Sequence, residues 1–399
     1  MIDMAQIDAV EDWLIGEALR SAKVPDLFGE MCVRLRTCDV PVDRASLAWS
    51  ALHPLIEGEM AYWQAGEDVL HEQYPHQEEE PETWRNSPMR AVLVNRDEML
   101  RRRLDGANAD HDYPICAELA EDGYTDYLVL ATAFELPALA DLQGNTGILV
   151  SWATKTPGGF TDDALFAIRY IQKRLALAAR ANLEAQITRT IAQTYLGGFA
   201  GQRVLSGQIR HGDGETIEAV IFYSDMRDST AIAEDLGPDR YLTWLNTYFE
   251  VSAGAVLQHG GEILDFIGDA VLAVFPIDAR GLGAAVRKAV KATDEARRRM
   301  KELNASVQQG RRLRAGIALS VGKVMFGNIG IAERLTFSVI GQTVHAAARI
   351  EALTKHAGTD ILMTEDVAAC IPDKAVFVDT FSLTGFATKQ PLYTLADPA

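Results

Sequence analysis

The sequence is short of cysteine and of positive charge, and both shortages narrow what the protein can be. Its 399 residues include four cysteines, Cys32, Cys38, Cys116 and Cys370, with no C-x-x-C pair among them. That spacing indicates neither a zinc site nor a disulfide scaffold, and it predicts a reduced, cytoplasmic protein. Lysine and arginine number 38 against 56 aspartates and glutamates, a formal net charge of −18. The excess of negative charge argues against nucleic acid and anionic membrane surfaces as partners.

Long apolar runs, internal repeats and low-complexity tracts are also missing. No apolar run approaches the roughly 20 residues that a membrane span requires. The acidic N-terminus, MIDMAQIDAVEDWLIGEALR, lacks the basic start of a signal peptide. Hydrophobic residues make up 48% of the chain, which is enough to give two domains a core each. We therefore expect a soluble, cytoplasmic, two-domain protein without a membrane span.

The first part of the chain, residues 1–160, predicts helices beside a short antiparallel sheet. Apolar side chains recur at helical spacing over residues 4–36, and residues 71–88 form the longest expected loop. The segments with strand composition are 45–55, 89–95, 126–134 and 146–154. This arrangement is typical of an α+β sensor domain. His53 could be a metal or haem ligand, but a core or turn histidine is expected because no second ligand stands out.

Residues 162–196 predict a single helix of about 50 Å, because no glycine or proline interrupts them. Thr161 is the expected N-cap, and Gly197, Gly198 and Gly201 are expected to end the helix. Two interpretations remain open. The segment is an ordinary core helix of the first domain, or it leaves that domain and pairs with its twin in a dimer. We favour the second and assign residues 161–200 to a signalling helix.

The remaining residues, 201–399, alternate strands and helices. The predicted elements are a strand at 218–225, a helix at 238–260, two strands at 262–276, a helix at 282–306, a strand at 312–330 and a helix at 342–358. This βαββαβ order is that of a ferredoxin-like core. The whole chain is therefore predicted to be of the α+β class.

Two aspartates of this second part stand where chemistry can occur. Asp225 ends an apolar strand, and Asp269 lies in the tight turn between the two strands of 262–276. In a βαββαβ sheet both positions can meet at one edge, where two unpaired carboxylates repel each other. Divalent cations between them would remove that conflict and could bind a transferring phosphoryl group. The alternative is that both are ordinary turn aspartates.

Three segments around these aspartates resemble the signature segments of class III adenylate and guanylate cyclases. They are AVIFYSDMRDST (219–230), HGGEILDFIGDAVLAVFP (259–276) and FSVIGQTVHAAARIEAL (337–353), in the order and spacing of that family. The resemblance covers about residues 216–396. It implies a head-to-tail homodimer that binds GTP or ATP at the subunit interface and forms a cyclic nucleotide.

The resemblance also implies roles for particular residues. Asp225 and Asp269 would hold two Mg²⁺ or Mn²⁺ ions. The backbone that follows would wrap the phosphates, over Met226, Arg227, Asp228, Ser229 and Thr230. The other subunit would supply Arg349 to stabilise charge on the reacting phosphate, although an isolated arginine at this position could simply be solvated.

The sequence departs from the family at several of its functional positions. Asp265 replaces the lysine that selects adenine, and Ser338 holds the partner position. A carboxylate can accept hydrogen bonds from guanine, so this pair favours GTP over ATP unless Asp265 faces solvent or an arginine. His345 replaces the transition-state asparagine. Thr384 stands at the position of the lysine that touches the triphosphate, with Lys389 nearby but out of register.

The first part of the chain looks like a GAF domain that feeds a signalling helix, a layout that many bacterial cyclases share. This resemblance implies regulation of the cyclase domain by an unknown small-molecule ligand. The alternative to an enzyme is a cyclase-fold regulatory module with weak or no activity, which His345 and Thr384 favour. The retained carboxylates and Arg349 favour the enzyme.

Overall fold

The computed structural model describes residues 2–20, 22–136, 146–210, 212–306, 311–331, 333–383 and 388–396. The chain divides into two compact units, Met1–Ile191 and Ala192–Ala399. None of the helices within the described ranges is long and apolar enough to cross a membrane. The two units are described separately below.

The first unit is built on one antiparallel sheet. Its strands are β1 (Arg44–Ser50), β2 (Ile56–Gln64), β3 (Leu70–Pro75), β4 (Met99–Arg103), β5 (Asp126–Ala133) and β6 (Gly147–Thr154). Its helices are α1 (Met4–Ala18), α2 (Val24–Thr37), α3 (Glu82–Arg85), α4 (Pro88–Asn95), α5 (Pro114–Glu121) and α6 (Asp162–Leu196). The strand order is β3-β2-β1-β6-β5-β4, and each neighbouring pair runs antiparallel.

Helices cover both faces of the central strands of this sheet. Leu47 and Trp152 pack on the face that α1, α2 and α6 cover. Leu149 and Ala153 pack on the face that α4 and α5 cover. Because side chains alternate between faces, a strand covered on both sides reads as a nearly continuous apolar run. This is why 126–134 and 146–154 were recognisable as β5 and β6.

Several predictions for the first unit were wrong. Residues 89–95 form helix α4 rather than a strand, because Ser87 caps the helix by accepting from the Arg90 amide at 3.1 Å and a proline occupies the first turn. By contrast, the helical spacing predicted over 4–36 is confirmed and corresponds to two helices, α1 and α2. The segment 45–55 ends as a strand at Ser50, and the expected loop 71–88 contains β3 and α3. The exposed β3 has no apolar alternation that would reveal it.

Helix α6 has the predicted length and cap. The Thr161 hydroxyl accepts a hydrogen bond from the Ala164 amide at 3.3 Å. One face from Ala164 to Leu183 lies in the first unit's core, so the core-helix interpretation is right for that part. Near the end, Tyr195 is 80% exposed. Gly197 adopts a left-handed φ of 83°, which ends the helix.

Two of the three glycines expected to end α6 do not lie at its end. Gly198 and Gly201 lie inside a following short helix, α7 (Gly198–Leu205). At Gly201 an added Cβ would meet the carbonyl oxygen of Ala192 at 2.7 Å. Gly201 therefore serves close approach of backbone to backbone rather than helix termination.

The second unit has the predicted βαββαβ order with additions. Its strands are β7 (Gly214–Met226), β8 (Glu262–Ile267), β9 (Ala270–Pro276), β10 (Ala315–Ile331), β11 (Arg334–Ile340), β12 (Ile361–Thr364), β13 (Ala375–Phe381) and β14 (Gln390–Leu395). Its helices after α7 are α8 (Ser229–Leu236), α9 (Pro238–Gln258), α10 (Leu282–Ser306), α11 (Gln342–Ala357) and α12 (Glu365–Ala368). The sheet order is β13-β14-β12-β10-β7-β9-β8, with β11 paired to β10.

Strand β7 lies in the middle of this sheet, and its alternation sets the direction of Asp225. Val220 and Phe222 pack into the core with α9 and α10. Ala219 and Ile221 pack on the opposite face, in the cluster that includes Ala347 of α11. Asp225 lies an even number of residues after Ala219 and Ile221, so its side chain projects from the same face of the sheet, toward α11.

Candidate functional site

The structure brings Asp225 and Asp269 to one edge of the second unit's sheet. Asp225 is the residue before the end of β7 and pairs in register with Ala270, the first residue of β9. Asp269 lies in the turn between β8 and β9, where Gly268 supplies a φ of 65°. The amide of Met226 donates to the carbonyl oxygen of Asp269 at 3.4 Å. Strand pairing therefore holds the two aspartates together.

The electrostatic environment penalises a negative charge on Asp225. Burial, followed by the charges of Asp269 and Glu351, raises the pKa of Asp225 to about 7. Carboxylate oxygens that repel one another in this way suit a hard divalent cation, which neutralises them. The chemistry of the pair therefore fits Mg²⁺ or Mn²⁺. No group of three or more His, Cys, Asp and Glu side chains in the described ranges could hold a metal ion, so further ligands would come from substrate, water or backbone.

Glu351 is the residue of this site that the sequence analysis missed. It lies on the buried face of α11 and is 6% exposed. Burial raises its pKa, and the positive charge of Arg227 opposes that rise. Gly316 on β10 makes room for it, because an added Cβ there would meet the Glu351 Oε1 atom. The sequence feature that could have predicted Glu351 as a site residue is a carboxylate within the apolar stripe of a helix, beside Ile350 and Thr354.

The loop after Asp225 is tied to its own chain. The Arg227 amide donates to the carbonyl oxygen of Arg314 at 2.9 Å, and its guanidinium Nη2 donates to the buried Thr354 Oγ1 at 2.6 Å. The Met226 and Arg227 amides thus already have acceptors within the chain.

The amides that remain for an anion are those of the α8 N-terminus. Asp228 is the N-cap of α8 with a left-handed φ of 60°, and Ser229 and Thr230 form the first turn. The first amides of a helix lack intrahelical acceptors. The Asp228 carboxylate accepts from Arg314 Nη2 at 2.7 Å, which fixes the start of the helix.

His345 and Arg349 lie one turn apart on α11, as the spacing predicts. Both side chains are exposed, whereas the neighbouring Ala346, Ala347 and Ile350 are buried. His345 and Arg349 therefore lie on the exposed face of α11, opposite the face that carries the buried Glu351.

Asp265 and Ser338 lie on separate strands. The register of β8 against β9 shifts between Ile263 and Asp265, so Asp265 pairs with Leu272. Leu272 faces the α11 side of the sheet, and cross-strand partners project from the same face. Ser338 is half-buried and pairs with Gly327 of β10. Among the described residues, no hydrogen bond joins Asp265 to Ser338.

The remaining predicted residue, Thr384, lies outside the described residues. Lys389 lies just before β14. In the first unit, His53 has the turn role expected of it, because its Nδ1 accepts from the Leu55 amide at 3.1 Å.

The second unit matches a known catalytic family. The family described as the adenylate and guanylate cyclase catalytic domain matches residues 214–394. The terminal-differentiation specific adenylate cyclase of Dictyostelium discoideum is 30% identical over 194 residues, 47% of this chain and 9% of that protein. The adenylate cyclase of Anabaena cylindrica is 33% identical over 170 residues, 40% of this chain and 32% of that protein. The chain thus spans less than a third of the length of these relatives.

Solved structures are similar to part of the chain. The guanylyl cyclase Cya2 is 27% identical, with a TM-score of 0.40, and the match covers 46% of this chain and 96% of Cya2. The adenylyl cyclase CyaB from P. aeruginosa is 24% identical, with a TM-score of 0.42, and the match covers 47% of this chain and 97% of CyaB.

Proposed function

We propose that residues 214–394 belong to the class III adenylate and guanylate cyclase family, whose catalytic domain they match. From this premise we infer that the chain forms a 3′,5′-cyclic nucleotide from a purine nucleoside triphosphate. The ribose 3′-oxygen would form a bond to the α-phosphorus, and the bond from that phosphorus to the β-phosphate oxygen would break. Pyrophosphate would leave, and the hydroxyl proton would pass to solvent or substrate. The observation that carries this proposal is the pair Asp225 and Asp269 at one sheet edge within the matched region.

Divalent cations would be held by Asp225 and Asp269. Bound metal would supply positive charge to the triphosphate and lower the cost of the displacement. The chain's own residues would position the substrate. The α8 N-terminus offers the amides of Ser229 and Thr230 to a phosphate, and Arg227 holds that loop against Thr354.

A homodimer would complete the site. His345 and Arg349 are exposed on α11, so we propose that they act on the substrate held by the partner's aspartates. A guanidinium at that place would stabilise the charge that develops on the reacting phosphate. The first unit would act as a regulatory domain with a GAF-like fold, connected through α6.

The base preference rests on two opposing observations. Asp265 and Ser338 can accept from guanine, which favours GTP. The curated relatives are named adenylate cyclases, which favours ATP. A mismatch of donors and acceptors at a base site costs about 1–3 kcal/mol. On the donor–acceptor match of Asp265 and Ser338 we propose a preference for GTP of about tenfold or more. The second candidate function, an inactive regulatory module, is favoured by His345 at the family's asparagine position.

The test is product formation by the purified chain. Incubation with ATP, GTP, CTP and UTP in turn, each with Mn²⁺, should yield cyclic GMP fastest. Asp225→Ala and Asp269→Ala should each lose more than about nine-tenths of the rate, because metal stabilisation is worth several kcal/mol. Asp278→Ala, an exposed aspartate of the same unit, is the matched control and should keep full activity. No cyclic product from any triphosphate would establish the inactive module instead.

A further inference from the structure

A cavity of about 260 Å³ lies in the first unit between α6 and the edge of the sheet. Helix α6 contributes Leu183, Gln186 and Ile187 to its lining, and Ile56 and Glu59 come from β2. No residue of the predicted catalytic set lines it. A cavity on α6 is notable because this helix runs on to Leu196, at the start of the second unit.

Strand register explains why a carboxylate is buried in this cavity. Glu59 pairs with Trp49 of β1 and with Gln73 of β3, and cross-strand partners share a face. Trp49 belongs to the core that α6 helps to form, so Glu59 faces α6. Glu59 is 5% exposed, whereas Glu57, two residues earlier, is exposed.

The buried carboxylate has only partial compensation for its charge. Glu59 contacts His71 Nε2 at 2.8 Å, Gln186 Nε2 at 3.1 Å and Gln73 Nε2 at 3.5 Å. No lysine or arginine lines the cavity, although His53 does, and in the described part of the chain His71 is the one basic side chain within ion-pair distance of Glu59. Burying a carboxylate without a full counter-charge is costly, so the cavity attracts positive charge.

We propose that the cavity is a binding site for a small organic cation, an amine or guanidine with a short apolar body. The cation would pair with Glu59, and the hydrocarbon part would lie against Ile56, Leu183 and Ile187. The volume is below the roughly 300–1,000 Å³ of drug-sized pockets, which limits the ligand to a compact molecule. A bound cation would compete with Gln186 for the Glu59 carboxylate and so change a contact that holds α6.

Calorimetric titration of the full chain with matched probes tests this site. The probes are cyclohexylammonium, cyclohexanol and cyclohexanecarboxylate, which share a body and differ in charge. Cyclohexylammonium should bind at least about tenfold more tightly than cyclohexanol, since a hydrogen bond to a charged group is worth about 1.5–3 kcal/mol. Cyclohexanecarboxylate should not bind. Equal binding of the carboxylate, or no binding of the ammonium at tens of millimolar, would overturn the proposal.

Two variants keep the test specific. Glu59→Gln should weaken cyclohexylammonium binding at least about tenfold, and Glu57→Gln, which removes the same charge from the same strand, should change it by less than about twofold. If Glu59→Gln does not fold, Thr190→Trp keeps the carboxylate and fills the cavity from the partly exposed side of α6. Unchanged cyclohexylammonium binding in a folded Glu59→Gln or Thr190→Trp variant would overturn the proposal. The measurement does not require cyclase activity.

Discussion

Replacing Asp225 by asparagine should stabilise the metal-free second unit at neutral and alkaline pH, although it should abolish catalysis. The folded-state pKa of Asp225 is about 7, raised by burial and by Asp269 from the ordinary 3.8. Between these values the folded state holds a proton that the unfolded chain has lost. Stability from this group is therefore lost as pH rises toward and through 7. Asparagine imitates the protonated form at every pH and avoids the loss.

The size of the effect follows from the shift. A displacement of about 3 pKa units corresponds to about 4 kcal/mol at 1.36 kcal/mol per unit. Asp225 is only partly buried, and solvent screening reduces the figure to about 2 kcal/mol at pH 8. At pH 5 the folded wild type is protonated, so the advantage of Asp225→Asn should fall to less than about half of that value.

Amide hydrogen exchange of β7 and β9 in EDTA measures this difference, because Asp225 lies in β7, pairs with the first residue of β9, and both strands report on the second unit alone. Adding Mn²⁺ should stabilise only the wild type, so that the wild type becomes more stable than Asp225→Asn. Asp278→Asn is the matched control, since Asp278 is exposed and paired with Arg280 at the surface, so its substitution should change the free energy of unfolding little at either pH. An Asp225→Asn variant that is less stable than wild type at pH 8 in EDTA, or whose advantage is independent of pH, would refute the reasoning.

Three further predictions concern the base, the phosphate loop and α6. Asp265→Lys combined with Ser338→Asp should shift the ratio of kcat/KM toward ATP by about tenfold or more; a wild type that already prefers ATP would contradict the guanine assignment. Thr354→Val removes the acceptor of Arg227 and should lower kcat/KM about tenfold, while Thr354→Ser should restore it; equal rates for both variants would show that this hydrogen bond does not position the loop. Inserting two residues after Thr188 should rotate the end of α6 by about 200° and change basal activity; unchanged activity and unchanged oligomeric state would exclude coupling through the helix.

The sequence predicted the second unit better than the first. The helix 282–306 and the hairpin at 262–276 matched the structure, because their apolar periods are long and glycines mark the turns. The strand predicted at 89–95 was wrong, since an apolar run of that length suits either a short helix or a strand. A capping serine followed by proline decides between them. The exposed strand β3 was missed for lack of any buried face.

The candidate site shows the same division. Asp225 and Asp269 could be predicted as site residues from the sequence, because each lies next to an apolar segment. Glu351 could not, because its place in the site depends on a glycine in β10 that leaves space for its carboxylate. The bond from Arg227 to Thr354 joins residues 127 apart in sequence, a separation that no local pattern reports.

By itself the sequence determined the order of the second unit's elements, the positions of the candidate carboxylates Asp225 and Asp269, and the unbroken helix α6, since these depend on periodicity and on residues close along the chain. Tertiary structure alone decided which faces those residues share. Strand register placed Asp225 toward α11, and a shift in β8 set the partner of Asp265. Register also buried Glu59 against α6. The physical reason is that pairing between distant strands fixes the direction of every side chain, and one residue of slip reverses it.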